Sequence, residues 1–163
     1  AWQIAVGRTD GPSLLCLTRQ NLPTQRTTYT AENLTAKGGY VLAEAEGGER
    51  QATLIATGSE VAIAMDARKL LAAEGIKAAV VSMPCTQAFD KQTAKYRKEV
   101  LGPSRTPRIV VEAGLEFGWE RYIDGKGAFV GMTGFGASAP APDLYKHFGI
   151  TAEAVAAAAK KLV

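Results

Sequence analysis

The sequence is poor in the residues that metal and disulfide chemistry require. Its 163 residues include two cysteines, Cys16 and Cys85, and one histidine, His147. Two thiols so far apart cannot build a disulfide framework or a four-thiolate zinc site, and no ligand pair stands at zinc spacing. No run approaches the roughly 18 consecutive apolar residues of a membrane span. The N-terminus, AWQIAVGRTDGP, has no basic region followed by an apolar one, so no secretion signal is read there. A reducing cytoplasm is the expected compartment. An initiator methionine is also missing, which points to processing or to an excised piece. Charge of one sign is scarce too: 19 Lys and Arg stand against 16 Asp and Glu, a formal +3. A balance that even gives no reason to expect nucleic acid.

What is present describes a soluble α/β protein. Hydrophobic residues at 47% and charged residues at 21% argue against disorder. A globular chain of this length buries about 70% of its unfolded surface, enough for one domain with a real core. The clearest unit is 52–82. ATLIAT (52–57) is a strand-length apolar run that meets Gly58 and turns into a helical pattern from Ser59 through Glu74. Val61, Ala64, Met65 and Leu71 share one face of that helix. Thr57 and Glu60 have the spacing of a capping box, and Gly75 stands where a helix ends at positive φ. KAAVVSM (77–83) then reads as a second buried strand, which makes a right-handed βαβ unit with parallel strands.

RIVVEA (108–113) and AFVGM (128–132) add two strands, and GYVLAEA (39–45) supplies a first. DKQTAKYRKEVL (90–101) is expected as one amphipathic helix ended by Gly102-Pro103. ITAEAVAAAAKKLV closes the chain as a helix capped by Thr151, with Lys160 and Lys161 complementing its dipole. The expected fold is therefore α/β: a mostly parallel sheet of about five strands with helices on both faces, Rossmann-like and three-layered. SLLCLTR (13–19) reads as another buried strand, but about twenty polar residues follow it. Loops that long are uncommon inside compact domains, so a boundary is placed near residues 24–36.

Most candidate chemistry has a plainer reading. Lys91, Lys95 and Lys98 would share a solvated helix face, with an anion-binding or docking patch as the alternative. His147 falls near the end of a short helix and is read as structural or surface. Cys85, without a convincing base, is read as a packing residue. Gly134-Phe135-Gly136-Ala137-Ser138-Ala139 matches a dinucleotide fingerprint, but Pro140 and Pro142 prevent a helix from opening directly after it. Thr57-Gly58-Ser59-Glu60 offers free backbone N–H groups, yet Glu60 would repel an anion. Arg19, at the end of the expected strand 13–19, could grip a phosphate bidentately, although composition alone favours a surface arginine.

Taken together, LTRQNLP (17–23), GGYVL (38–42), ATGSEV (56–61), VVSMPCTQAFDKQ (80–92), VEAG (111–114) and GMTGFGASAP (131–140) resemble the C-terminal part of transketolase in order and spacing. The resemblance covers essentially the whole chain. It implies that residues 1–24 are the tail of a middle, pyrimidine-binding domain, 25–37 a linker, and 38–163 the C-terminal domain. It implies an enzyme, a homodimer using thiamine diphosphate and Mg²⁺, that moves a two-carbon ketol unit from a ketose phosphate to an aldose phosphate. It places Arg19 as the residue contacting the sugar phosphate, with Thr18 where the family more often has serine. Cys85 replaces a position usually held by Ser or Thr. The family's cofactor-binding and catalytic motifs lie upstream of residue 1, so no catalytic, cofactor-binding or metal residue is assigned here. The segment is expected to be inactive alone, with none of these cofactors bound and the remainder of the transketolase chain as its partner. The alternative is a freestanding small-ligand-binding or regulatory domain.

Overall fold

The computed structural model describes residues 1–163, and its elements divide at Gly38. Before that glycine there is one helix, α1 (Trp2–Gly7), and a 3₁₀ turn at Leu34–Lys37. After it come β1 (Tyr40–Ala43), β2 (Ala52–Ala56), α2 (Glu60–Ala73), β3 (Ala78–Ser82), α3 (Thr86–Asp90) and α4 (Ala94–Leu101). Next follow β4 (Arg108–Glu112), α5 (Glu120–Ile123), β5 (Gly127–Gly131), α6 (Ala141–His147) and α7 (Ala152–Lys160). The strands form one sheet in the order β1-β3-β2-β4-β5. Four are parallel, and β1 lies antiparallel on the β3 edge.

Three layers follow from the alternation of side chains along each strand. Leu54 and Ala56 of β2, Val80 of β3, and Ile109 and Val111 of β4 face α2 and α7, where Ala64, Leu71, Val155 and Ala159 complete a core of fully enclosed side chains. Their neighbours Ile55, Val81 and Val110 point the other way, onto Phe89 of α3, Val100 of α4, Tyr122 of α5 and Trp119 just before α5. Strands buried on both faces must be apolar throughout, which is why β2 to β4 read as continuous hydrophobic runs. At the end of α2, Gly75 sits at φ +78° and the Ile76 N–H returns to the Leu71 carbonyl at 2.9 Å, closing the helix as expected. Thr151 caps α7, accepting from the Ala154 N–H at 3.2 Å.

Three expectations are corrected. SLLCLTR is not a buried strand: residues 13–19 carry no regular structure, and Leu14 and Leu17 are 86% and 76% exposed. A strand exists only against a neighbour that takes up its N–H and C=O groups, and β1 and β5 end the sheet without receiving a sixth strand. The helix expected over 90–101 is two helices. Thr93 breaks it by accepting the Tyr96 N–H at 3.2 Å, a cap that starts α4 afresh, so Lys91 lies outside the helix that carries Lys95 and Lys98. The capping box at Thr57 and Glu60 does not form. Glu60 N–H donates to the Thr57 main-chain carbonyl, while its carboxylate turns to other partners.

Candidate functional site

Because β2 to β5 run parallel, their C-terminal ends open on a single edge. The chain leaves β2 through α2 toward β3 on one side, whereas β4 lies on the other side of β2. Connections that diverge in this way leave a crevice outside the carboxyl ends of the two strands, the usual ligand position in open α/β sheets. Glu60, at the start of α2, and Glu112, the last residue of β4, stand at this switch point. Glu60 is 4% exposed. Its Oε1 accepts from Ser59 Oγ at 2.9 Å and from the hydroxyl of Tyr145 on α6 in a short hydrogen bond. Burial, and then this bond to Glu60, push the Tyr145 phenol above its ordinary range.

Glu112 lacks such company. Its Oε2 is enclosed without any hydrogen-bond partner. Burial first, and then the charge of Glu60, push its carboxyl up to about 7. One member of the pair is thus supplied with two hydroxyl donors, and the other, without a partner, has its carboxyl raised to about 7.

The first segment of the chain runs along this edge. Gln20 Nε2 donates to the Tyr145 hydroxyl at 3.3 Å across 125 positions of sequence. Leu22 to Arg26 then run past Gly58, Ser59, Tyr40 and Ser82, lining a cavity of about 400 Å³. A second cavity of about 250 Å³ lies between Gln20, Tyr145, Met132 and Phe148. Residues 22–26 therefore lie along the C-terminal ends of β2 and β3, beside the crevice, and Gln20 reaches Tyr145 at its mouth.

Arg19 immediately precedes Gln20. It is exposed and makes no hydrogen bond or ion pair with the rest of the chain. It does not end a strand as expected, yet the Gln20 contact holds it beside the C-terminal edge. Thr18 Oγ1 accepts the Gln20 N–H at 3.4 Å, so side-chain contacts lie on both sides of Arg19. His147 is exposed at the end of α6, its ring edge-on to Phe148 at 4.8 Å between centroids. Cys85 is half-buried before α3, its thiol 3.5 Å from Gln87 Oε1. The glycine motif at 134–139 is itself irregular, and against expectation a helix opens one residue after it: α6 starts at Ala141 with Pro140 as its N-cap and Pro142 in its first turn, where a missing N–H costs nothing. Lys95 and Lys98 are exposed on α4, whereas Arg108 is buried, bonding the carbonyls of Tyr122 and Gly102 at 3.3 Å each.

No group of three or more His, Cys, Asp or Glu side chains is placed to hold a metal ion. Such a donor set is what a divalent ion holding thiamine diphosphate would require of these residues. No helix is long and apolar enough to cross a membrane.

The roles of Glu112 and Tyr145 were not visible in the sequence. The acid of VEAG lies near the C-terminal end of the predicted strand RIVVEA, which was a signal. What singles it out is the strand order that sets β4 beside β2, and that order is a tertiary fact.

Comparison with known proteins agrees with this architecture. A family model described as transketolase-like TK C-terminal domain matches residues 38–151. A transketolase of Cereibacter sphaeroides is 58% identical over 163 residues, all of this chain and 24% of that protein. A solved transketolase from Leishmania mexicana superposes with a TM-score of 0.89 at 44% identity, over 99% of this chain and 23% of that one. Transketolase from Pichia stipitis, in complex with sedoheptulose 7-phosphate, gives 0.77 at 41% identity over 88% of this chain and 20% of its own. The chain thus spans about a quarter of the length of the relatives it matches. With most of its residues under the family model and its fold superposing so closely, the chain belongs to the transketolase C-terminal-domain family.

Proposed function

We propose that this chain works as the C-terminal portion of a transketolase, which transfers a two-carbon ketol unit from a ketose phosphate to an aldose phosphate. The observation that carries the reading is identity of 58% sustained over the whole chain, including residues 1–37, which lie outside the family model. Residues 1–24 are the tail of the preceding domain, 25–37 the linker and 38–163 the C-terminal domain. Thiamine diphosphate and Mg²⁺ are held by other parts of the longer polypeptide, which acts as a cytoplasmic homodimer in pentose phosphate metabolism or carbon fixation. The cofactor supplies the electron sink that no side chain here can provide.

The part this chain plays in that reaction is to grip phosphate. Arg19 presents an exposed guanidinium that does not pair internally and whose planar fork matches a phosphate. A sugar phosphate, of the kind carried by the Pichia stipitis complex, is a fitting partner. The alternative of a freestanding ligand-binding domain is disfavoured by the identity of 58% to a transketolase over the whole chain, a quarter of that protein's length.

Two measurements test the reading. The chain alone, given thiamine diphosphate, Mg²⁺ and both sugar phosphates, is expected to show no ketol transfer above buffer. Turnover that disappears when the cofactor is withdrawn would sink that part. In the full-length enzyme, Arg19→Ala should cost about 10- to 150-fold in kcat/KM, the equivalent of about 1.5–3 kcal/mol for a charge-assisted contact. The loss should fall mainly on KM, because the phosphate is bound equally in ground and transition states. Arg19→Lys should recover part of it, and unphosphorylated sugars should be indifferent. A loss in kcat shared by all substrates would make Arg19 structural.

A further inference from the structure

A single side-chain hydrogen bond joins residues 1–32 to the sheet domain, Gln20 Nε2 to the Tyr145 hydroxyl at 3.3 Å. Its direction is fixed. The Tyr145 hydroxyl donates to Glu60, so it receives Gln20 on its oxygen. Glu60 as a carboxylate only accepts, and Ser59 Oγ supplies it with a second donor at 2.9 Å. Donors therefore run Gln20 to Tyr145 to Glu60, ending on a side chain 4% exposed at the start of α2. Such chains polarise each member and strengthen together. The outermost of them is the residue next to Arg19.

We propose that Tyr145, backed by Glu60, is a positioning residue for Arg19: by holding Gln20 it fixes where the Arg19 loop lies and so lowers the cost of binding the substrate phosphate. This rests on the reading of Arg19 as the phosphate-binding residue. Arg19 lies in an irregular, exposed stretch, and a guanidinium there would have to be ordered each time substrate arrives. An anchor one residue away removes part of that cost before binding. Tyr145 acts on KM for phosphorylated sugars through Arg19 and touches neither cofactor nor reacting atoms.

The experiment uses the full-length holoenzyme loaded with thiamine diphosphate and Mg²⁺, with glyceraldehyde 3-phosphate and unphosphorylated glyceraldehyde as acceptors. The variants are Tyr145→Phe, which removes only the hydroxyl, Gln20→Met, Arg19→Ala, and the doubles with Arg19→Ala. Tyr145→Phe is expected to raise KM for the phosphorylated acceptor about three- to tenfold, the range of one net hydrogen bond. It should leave kcat within about twofold and glyceraldehyde kinetics unchanged. Gln20→Met should reproduce the effect, and neither change should add to Arg19→Ala, since a lost anchor has nothing left to hold. If Arg19→Ala raises KM selectively but Tyr145→Phe and Gln20→Met do not, the positioning role is overturned while the phosphate reading stands. Effects that multiply with Arg19→Ala, or that strike both acceptors equally, overturn it as well. If Arg19→Ala itself fails to discriminate the acceptors, the phosphate reading falls and this inference with it.

Discussion

More than a third of residues 1–37 and about half of residues 38–163 are apolar, yet the two regions have opposite fates. All 35 buried residues lie from Gly38 onward. Seven large hydrophobic side chains stand exposed among the first 29 residues, Trp2, Val6, Leu14 and Leu17 among them, against six in the following 134. The chain exposes 10016 Å², about 2,000 Å² more than a compact monomer of its mass would. Apolar sequence alone therefore does not make core; it needs a surface that matches it. Residues 38–163 contain both halves of that match, in two layers of helices on one sheet. The first segment contains one half, and relatives four times as long are where the other half is expected.

The sharpest way to press this contrast is to remove the same side chain from each region. Leu54→Ala empties a fully enclosed position between β2 and the α2–α7 layer and should destabilise the isolated chain by about 2–5 kcal/mol in urea unfolding. Leu17→Ala should change it by less than about 0.5 kcal/mol. Equal losses would mean that the first segment shares the core after all. At the junction itself, Gly38 lies at φ +80°, and a Cβ there would overlap the Phe89 amide nitrogen and the Cys85 carbonyl oxygen. Backbone cannot move aside as a side-chain tip can, so Gly38→Ala should cost about 2–3 kcal/mol. A Tm within a degree of the parent would refute it.

The same contrast explains what the sequence could and could not disclose. The sheet was legible because β2, β3 and β4 are apolar on both faces and are set off by Gly58, Gly75 and Gly102-Pro103, all local signals. Local signals misled wherever a partner decided the outcome. SLLCLTR has a strand's pattern without a neighbouring strand. Thr57 and Glu60 have a capping box's spacing, but Tyr145, 85 positions away from Glu60, takes the carboxylate. Thr93 was a legible cap that competed with a smooth helical period and prevailed. Arg19 stood out from other arginines through family resemblance alone. Glu112 acquires its character from strand order, which no window of sequence contains.

Glu112 gives a pH test confined to the second region. Its carboxyl is raised from 4.5 to about 7 by burial and then by Glu60, so the folded protein holds a proton that the unfolded chain releases earlier. The stability contributed by that proton is fully present below about pH 4.5 and is lost as pH rises through 7. The full shift would amount to about 3 kcal/mol, and solvent screening of a partly exposed group reduces this to about 1–2 kcal/mol. Glu112→Gln should therefore stabilise the chain by about that much at pH 8 and scarcely at pH 4.5. An equal effect at both pH values would show that the carboxyl does not titrate in this window.

The smallest effect is expected from the largest change in length. Residues 1–19 contribute no buried side chain, and their helix α1 spans six residues without a side-chain cap. A helix that short does not persist on propensity alone. Its side-chain hydrogen bonds beyond residue 32 reduce to one between Gln3 and the half-buried Asn33 at 2.8 Å, open to solvent, which contributes little in water. Deleting residues 1–19 keeps Gln20, so the contact with Tyr145 remains. The urea midpoint and slope of the isolated chain should then stay within about 0.5 kcal/mol and 10% of the parent, since little surface is hidden by the deleted part. A loss above about 1.5 kcal/mol would show that the first segment is held by the domain, and the two regions would have to be treated as one cooperative unit. In the full-length enzyme Leu17→Ala should become costly, because there the exposed leucine is expected to have found its surface. A neutral Leu17→Ala in that longer chain, measured by thermal unfolding of the holoenzyme, would leave the exposed side chains of residues 1–22 without a reason to be apolar.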